Sequence, residues 1–356
     1  MKRTSAGQVL RAGAASIVLL MLLAACGRNT PHRESRLILG TTSTITIHDR
    51  RLPRGIFDRV FERVADIEAL MSINESNYDD TEVLRINRAA GRKPVAVSDD
   101  TFTVIESGIR FGEASNGAFD ITVGPLVALW GIGTPRETVP SQEEIDAVLP
   151  LIDFRRIELD FERRTVYLPR EGMAIDVGGV AKGYAVEEAA RLLAEAGVQH
   201  AVLDFGGDIF TVGVRRDGDA WRIGLQSPET GRGSIIGIIE SSNNAIVTSG
   251  AYERFFIQDG QRYHHLFDIG TGRPARNTLT SVTAIADDAM LADVFSTAGY
   301  VAGLEEGLRI FEAMPDVEGI FVTEDRSIYV TAGVAAVFRV IDDNYRLERV
   351  ESVIGE

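Results

Sequence analysis

Two glycines and a lysine form the segment of this sequence that best suits a phosphate ligand. Residues 176–185, DVGGVAKGYA, place Gly178 and Gly179 where an amphipathic helix begins, and Lys182 follows one turn later. The first amides of a helix lack partners within it and the helix dipole adds positive charge, so such a turn can hold an anion. The segment is neither a Walker A loop nor a GxGxxG fingerprint. An ordinary tight turn before a helix remains the alternative.

A carboxylate and a hydroxyl occur at helical spacing further along the chain. Residues 287–297, DDAMLADVFST, place Asp293 and Thr297 four positions apart, so on a helix both side chains share one face. Carboxylate and hydroxyl oxygens are hard ligands of the kind that Mg²⁺ prefers. The alternative is a helix cap beside a threonine that bonds its own backbone.

Two further segments combine aromatic and titratable residues. Residues 117–125, GAFDITVGP, place Phe119 beside Asp120, which suits a ring and its polar edge, or else a core phenylalanine and a capping aspartate. Residues 263–274, YHHLFDIGTGRP, contain two adjacent histidines. Neighbouring residues of a strand point to opposite faces, so at most one histidine faces a given site. A purely structural histidine is the alternative.

The elements that must position these segments fall into separate blocks. Periodicity and turn residues predict helices at 53–70, 80–89, 98–115 and 178–196, and a first strand at 37–48. A strand-rich block follows from 199 to 267, and then come a strand at 281–286, a helix ending near 302, a second short helix and strands at 318–323 and 327–331. Separate runs of strands and helices favour the α+β class.

The N-terminus predicts export and a lipid anchor. Lys2, Arg3 and Arg11 precede an apolar stretch of 12 residues at 14–25, which is too short to span a bilayer but fits a secretory signal. The stretch ends in Leu-Ala-Ala-Cys26, which resembles a bacterial lipobox. We therefore expect a signal peptide at 1–25, a tether at 26–36 after lipidated Cys26, a domain at 37–341 and a tail at 342–356. A free cysteine after an ordinary signal peptide is the alternative.

Charge and cysteine content exclude several kinds of site. Cys26 is the only cysteine, so its lipidation leaves none for a disulfide, a thiolate metal site or a nucleophile. Removal of the three basic residues before the cleavage point takes the formal charge from −15 to −18. Such a surface repels nucleic acid, so no nucleic-acid partner is expected. A phosphate ligand must then be held by local positive charge from a lysine, a helix N-terminus or a metal ion.

These four segments, in this order behind a lipobox, resemble the ApbE family of FAD:protein FMN transferases. The resemblance extends from about Leu39 to at least Gly303. It also includes LGT at 39–41, Asn87, GAFDITVGPLVALWG at 117–131, DFGGDI at 204–209 and TSGAYERFF at 248–256.

The resemblance implies an α+β fold of mainly antiparallel sheets with flanking helices, in which FAD and Mg²⁺ bind between two lobes. The magnesium ligands would be the carbonyl of Gly179 and the side chains of Asp293 and Thr297. His265 would be the catalytic base, and Asp293 would act in catalysis through the metal. The FAD contacts would be Leu39, Ile73, Ala118, Phe119, Asp120, Asp176, Lys182 and the segment around Phe267.

The implied reaction moves the FMN half of FAD onto a threonine or serine hydroxyl of another protein and releases AMP. Implied acceptors are subunits of membrane-bound sodium-pumping quinone reductases or Rnf-type complexes, and the implied location is the periplasmic side of a bacterial membrane. Ile269 departs from the family pattern, in which a proline usually follows the aspartate that is Asp268 here. The segment at 72–81 is also longer than is usual in the family. The alternatives are an FAD pyrophosphatase and a lipid-anchored flavin-binding protein without turnover.

Overall fold

The computed structural model describes residues 30–74, 77–229, 233–350 and 353. The described residues form mainly antiparallel sheets with helices packed against them, which confirms the predicted α+β class. The largest sheet has nine strands within this part of the chain. Adjacent strands run antiparallel, except that the last two are parallel. From edge to edge the strands are β1 (His32–Ile38), β2 (Thr41–Ile47), β6 (Ala201–Phe205), β7 (Asp208–Val212), β10 (Ala245–Gly250), β15 (Leu279–Ala286), β16 (Val317–Thr323), β17 (Ser327–Val330) and β19 (Arg346–Glu348).

Smaller sheets and eight α-helices complete the described structure. The strands of the smaller sheets are β3 (Val95–Ala96), β4 (Glu158–Asp160), β5 (Thr165–Tyr167), β8 (Trp221–Gln226), β9 (Ile235–Ser241), β11 (Phe255–Gln258), β12 (Gln261–His264), β13 (Phe267–Asp268), β14 (Arg273–Pro274) and β18 (Phe338–Val340). The helices are α1 (Ile56–Met71), α2 (Glu82–Ala89), α3 (Asp99–Ala114), α4 (Gly124–Trp130), α5 (Gln142–Val148), α6 (Gly178–Glu195), α7 (Ala289–Ala302) and α8 (Leu304–Glu312).

Both faces of the nine-stranded sheet are covered by apolar side chains. On one face the main core packs α1, α3, α6 and α7 against the strands. On the other face a second cluster packs the sheet formed by β8, β9 and β18 against residues such as Ile246, Ile285 and Ile320. The helix α7 is buried along most of its length, so any polar side chain on it has to find a partner inside the protein.

The structure corrects three predictions about the limits of segments. The single strand predicted at 37–48 is a hairpin, because Leu39 and Gly40 form a tight turn with positive φ between β1 and β2. The predicted tether ends too late, since residues 32–36 already belong to β1. This strand lies at the edge of the sheet and its residues alternate in exposure, so Arg33, Ser35 and Leu37 occupy its outer face, with Leu37 83% exposed. The predicted tail contains β19, which pairs with β17.

The predicted signal peptide and Cys26 lie outside the described residues. Within the described ranges, no helix combines the length and the apolar composition needed to cross a bilayer.

Candidate active site

Lys182 lies between two buried carboxylates. It occupies the second turn of α6, and its Nζ donates to Asp208, at the start of β7, and to Oδ1 of Asp293 on α7, at 3.2 Å. Asp208 and Asp293 are only 4% and 3% exposed, whereas the lysine side chain keeps 25% of its surface. Burial lowers the pKa of Lys182, but the two carboxylates outweigh this effect and raise the pKa well above its ordinary value. The lysine is therefore a fixed positive charge that can still be reached by a ligand.

The glycine turn predicts an anion site at the N-terminus of α6, and the structure agrees with only part of this prediction. The amide of Gly178 is not open, because it donates to Oδ1 of Asp176 at 2.8 Å. The amide of Gly179 has no hydrogen-bond partner in the described part of the chain. The ring of Phe119 packs directly on Gly179, where an added Cβ would lie 2.9 Å from the ring. Gly179 therefore presents bare backbone beside an aromatic ring.

Asp293 and Thr297 share one face of α7, as their spacing predicts. Oδ2 of Asp293 accepts from the amide of Gly183 at 3.1 Å, and the hydroxyl of Thr297 lies 3.1 Å from that of Ser249. The helix is capped by another residue, Asp288. The alternative of a helix cap beside a threonine that bonds its own backbone is therefore wrong.

The donor atoms fit a magnesium ion. In an α-helix the amide of residue i faces the carbonyl of residue i−4, so the amide of Gly183 faces the carbonyl of Gly179. Because Asp293 reaches this same amide, its carboxylate and the carbonyl of Gly179 lie on one side of α6. A carbonyl, a carboxylate and a hydroxyl are all hard oxygen donors, and Mg²⁺ commonly completes such a set with substrate phosphates and water.

The charges of the side chains in the site also favour a bound magnesium ion. Two cations, Lys182 and Arg254, lie among three carboxyl groups, so the side chains of the site provide little net positive charge; the carboxyl groups are those of Asp176, Asp208 and Asp293. The diphosphate of FAD would add further negative charge. Among the described residues, no cluster of three or more histidine, cysteine, aspartate or glutamate side chains is arranged to hold a metal by itself. A metal here would therefore be shared with the phosphate ligand.

His265 is positioned by the backbone of Arg254. Its Nδ1 lies 3.2 Å from the carbonyl oxygen of Arg254, so Nδ1 carries the hydrogen and donates, and Nε2 is left with its lone pair. Burial, and then the charge of Arg254, lower the pKa of His265 to about 4. The imidazole is therefore neutral at pH 7 and can accept a proton. The adjacent His264 is buried on the opposite face, where its Nε2 donates to the carbonyl of Ala275 at 3.0 Å.

Comparison with known proteins identifies the family. The profile of the ApbE family matches residues 39–321. The FAD:protein FMN transferase of Klebsiella pneumoniae is 33% identical over 90% of this chain and 98% of its own length. That of Treponema pallidum is 32% identical over 94% of this chain and 96% of its own length.

This chain belongs to the ApbE family.

Solved ApbE structures have the same fold. The ApbE protein of Thermotoga maritima superposes with a TM-score of 0.79, at 32% identity, over 87% of this chain and 99% of that one. The flavin transferase ApbE of Vibrio cholerae gives a TM-score of 0.77, at 30% identity, over 86% and 99%.

In this ApbE chain, both carboxylate oxygens of Asp120 are used in hydrogen bonds within the protein. One carboxylate oxygen accepts from the amide and the hydroxyl of Thr122, at 2.7 and 2.6 Å, and the other accepts from the amide of Phe154 at 3.1 Å. Burial raises the pKa of Asp120 above its ordinary value. The capping alternative therefore describes its carboxylate, whereas Phe119 lies beside the glycine turn.

The other predicted FAD contacts lie around this centre at different depths. Leu39 is half-buried in the β1–β2 turn and has a φ of 56°, which is strained for a residue other than glycine. Ile73 is half-buried just after α1. Ala118 borders a surface groove shared with Asp268 and α8. Phe267 is buried, 5.9 Å from the ring of Trp130, so only its surroundings could meet a ligand.

Sequence reasoning assigned no role to three residues that shape the site. Asp208 follows the Gly-Gly turn of the DFGGDI segment and binds Lys182. Arg254 holds His265 and lies near the β1–β2 turn, since a Cβ added at Gly40 would be 3.9 Å from its Nη2. Asn87 positions Asp176 indirectly, because its side-chain amide pairs with both backbone groups of Ile175, at 2.8 and 2.9 Å.

Proposed function

We propose that this chain is a flavin transferase that moves FMN from FAD to a threonine or serine hydroxyl of an acceptor protein and releases AMP. The observation that carries the proposal is the position of Lys182 between Asp208 and Asp293, beside the open backbone of Gly179. The ApbE relatives that cover nearly the whole chain bear the name FAD:protein FMN transferase, which supports the same class of enzyme.

The proposed step is a phosphoryl transfer. The acceptor oxygen forms a bond to the phosphorus on the FMN side, the bond from this phosphorus to the bridging oxygen breaks, and AMP leaves with that oxygen. His265 takes the hydroxyl proton at Nε2, since its Nδ1 is engaged by Arg254. Lys182 and the Gly179 amide bind phosphate oxygens and stabilise the charge that develops on them.

We propose that Mg²⁺ takes part and is held by Gly179, Asp293 and Thr297. A bound magnesium ion would supply Lewis-acid stabilisation of the diphosphate charge. Asp208 does not need to contact it, because this carboxylate already holds Lys182 in place.

Lipidation at Cys26 and a periplasmic location are also part of the proposal. They rest on the lipobox and on the short polar segment that separates Cys26 from the first strand at His32. Multiple acyl chains on one cysteine would give stable membrane attachment. Cys26→Ser should then move the chain from the membrane fraction to the soluble fraction, and an unchanged distribution would contradict the anchor.

One incubation tests the reaction and separates its alternatives. The chain is incubated with FAD and Mg²⁺, with and without the extracytoplasmic domain of a sodium-pumping quinone reductase or Rnf-type subunit. AMP together with flavin that stays on the denatured acceptor supports transfer. AMP without a flavin adduct supports hydrolysis by water. No AMP in either case would mean a flavin-binding protein without turnover.

A further inference from the structure

A second cavity lies beside the candidate active site. Its volume is about 670 Å³, which is within the range of small-ligand and side-chain pockets. Tyr252, Arg262, His264, Arg276 and Tyr300 form much of its wall. None of the residues that the family resemblance assigns to FAD or to magnesium lines this cavity.

Tyr300 contributes a hydroxyl to the wall of the cavity. The residue is only 3% exposed, and within the described ranges its hydroxyl makes no hydrogen bond. Burial raises the pKa of Tyr300 to about 12, so the hydroxyl keeps its proton and can donate. The hydroxyl is not among the buried side-chain atoms of the described residues that lack a partner, so a ligand in the cavity can reach it and accept its hydrogen bond.

The cavity has an excess of positive charge. In the part of the chain that the structure describes, neither Arg262 nor Arg276 forms an ion pair, although the Arg262 guanidinium lies 4.4 Å from the ring centre of Phe255. Of the two glutamates in the wall, Glu229 is already bound by an arginine outside the cavity at 2.8 Å, which leaves Glu324. Two arginines against one free carboxylate, in a chain of net charge −15, favour an anionic ligand.

Three elements lead from the candidate active site into this cavity. Thr297 and Tyr300 stand on consecutive turns of α7. Ser249, which contacts Thr297, is followed closely along the chain by Tyr252 in the cavity wall. His264 in the wall adjoins His265 in the site. An extended peptide advances about 3.3–3.6 Å per residue, so a bound segment of a few residues can occupy both places.

We propose that this cavity binds an acidic side chain of the acceptor protein, a few residues from the hydroxyl that receives FMN. The inference rests on the proposed transferase function and adds the chemistry by which the acceptor is recognised. Arg262 and Arg276 would pair with the carboxylate, and the hydroxyl of Tyr300 would donate to it. Since the cavity is separate from the assigned FAD contacts, it would set the affinity for the acceptor and not the affinity for FAD.

The test compares two KM values in four variants. Arg262→Gln, Arg276→Gln and Tyr300→Phe each remove one proposed contact, and Arg339→Gln removes an exposed arginine on β18 as the control. We expect the KM for the acceptor domain to rise roughly tenfold in each arginine variant and less in Y300F, with the KM for FAD unchanged. An unchanged acceptor KM would overturn the proposal. A rise in the KM for FAD would also overturn it, because the cavity would then hold part of the nucleotide.

Direct binding separates this inference from the reaction itself. Titration calorimetry of the chain with the acceptor domain, without FAD, should show weaker binding for R262Q and R276Q but not for R339Q. This result would support the cavity even if no FMN were transferred, and equal binding by all variants would refute it even if transfer occurred. Each acidic residue of the acceptor near the modified hydroxyl is also neutralised in turn. The change that removes the pairing side chain should weaken binding to the native chain but cause little further loss of binding to R276Q, and this difference identifies the pairing side chain. Thermal melting confirms that each variant is folded.

Discussion

Lys182 and Asp293 meet across the contact between two helices, with Nζ of the lysine 3.2 Å from Oδ1 of the aspartate. The lysine belongs to α6 and the aspartate to α7, so the candidate site exists only while these helices lie close together. Gly183 makes this approach possible, because a Cβ added there would lie 2.4 Å from the carbonyl oxygen of Ala289. The packing of the core and the geometry of the site therefore depend on the same glycine.

Replacing Gly183 with alanine should disturb both stability and catalysis. Alanine favours a helix by about 1 kcal/mol over glycine, but here its methyl group meets backbone that cannot rotate away. We expect a net loss of about 1–3 kcal/mol in the free energy of unfolding. Displacement of Asp293 from Lys182 should lower kcat about a hundredfold. Urea unfolding and AMP release measure the two effects. Glu195→Ala, at an exposed position on the same helix, should change neither.

Asp208→Asn should weaken catalysis and remove a pH dependence. Burial raises the pKa of Asp208 to about 7. Above this pH the carboxylate is charged and fixes Lys182, whereas below it the protonated form binds the lysine less well. The kcat/KM of the native chain should therefore rise between pH 6 and 8, and D208N should be at least about tenfold slower with this rise absent. Asp219→Asn, at an exposed position before β8, should keep the native profile, and an unaltered profile in D208N would contradict the assignment.

Removal of the metal should abolish the reaction, and Asp293→Ala should have the same effect. Asp293 is the only carboxylate in the proposed ligand set, so its loss leaves a carbonyl and a hydroxyl, which bind Mg²⁺ weakly. AMP release in the presence of EDTA and at increasing Mg²⁺ concentration provides the measurement. Asp287→Ala, at an exposed position just before α7, is the matched control and should retain metal-dependent activity. Full activity in D293A would remove the metal assignment.

His265→Ala should lower flavin transfer by about a hundredfold or more, the usual contribution of a general base. The pKa of His265 is held near 4 by burial and by Arg254, so the imidazole stays neutral from pH 6 to 9. The loss should therefore be similar throughout this range. His200→Ala provides the control, because its Nδ1 also bonds a backbone carbonyl, that of Val214 at 2.6 Å, but at a distance from the site. Transfer by H265A at the native rate across this range would exclude the proposed role.

Local signals predicted the helices well, because helix caps involve residues close in sequence. Ser98 caps α3, and Ser141 forms a capping box with Glu144 at the start of α5. Strand boundaries depend on partners distant in sequence, which explains the missed hairpin turn at Leu39 and the unpredicted pairing of β19.

In the candidate site too, contacts within one helix could be predicted from sequence, whereas contacts between distant segments could not. Asp293 and Thr297 could be paired from sequence because four residues on one helix fix their relation. Asp208 and Arg254 received no role, since they meet Lys182 and His265 only after the sheet has formed. The glycine turn was predicted as an anion site, but Asp176 occupies the amide of Gly178 through an Asx turn, a local contact that the prediction did not include.

Stability should fall as the pH rises, through a pair of carboxyl groups near the start of α7. Glu187 on α6 accepts from the amides of Ala289 and Met290 at 2.7 and 3.3 Å. Burial and a hydrogen bond with Asp288 raise the pKa of Glu187 to about 8. In the unfolded chain this pKa is about 4.3, so between these values the folded state binds more protons than the unfolded state. The contribution of Glu187 to the free energy of unfolding is therefore fully present below the lower pKa and is lost as the pH rises through the higher pKa.

Glu187→Gln should remove this dependence, because glutamine accepts the same two amide bonds and can donate to Asp288 without titrating. Urea unfolding at pH 5, 7 and 9 gives the free energy of unfolding for each chain. We expect the native chain to lose at least about 1 kcal/mol more than E187Q between pH 5 and pH 9. Glu195→Gln, an exposed glutamate on the same helix, should keep the native slope. Equal slopes in the native chain and E187Q would show that Glu187 is already ionised in the folded state across this range.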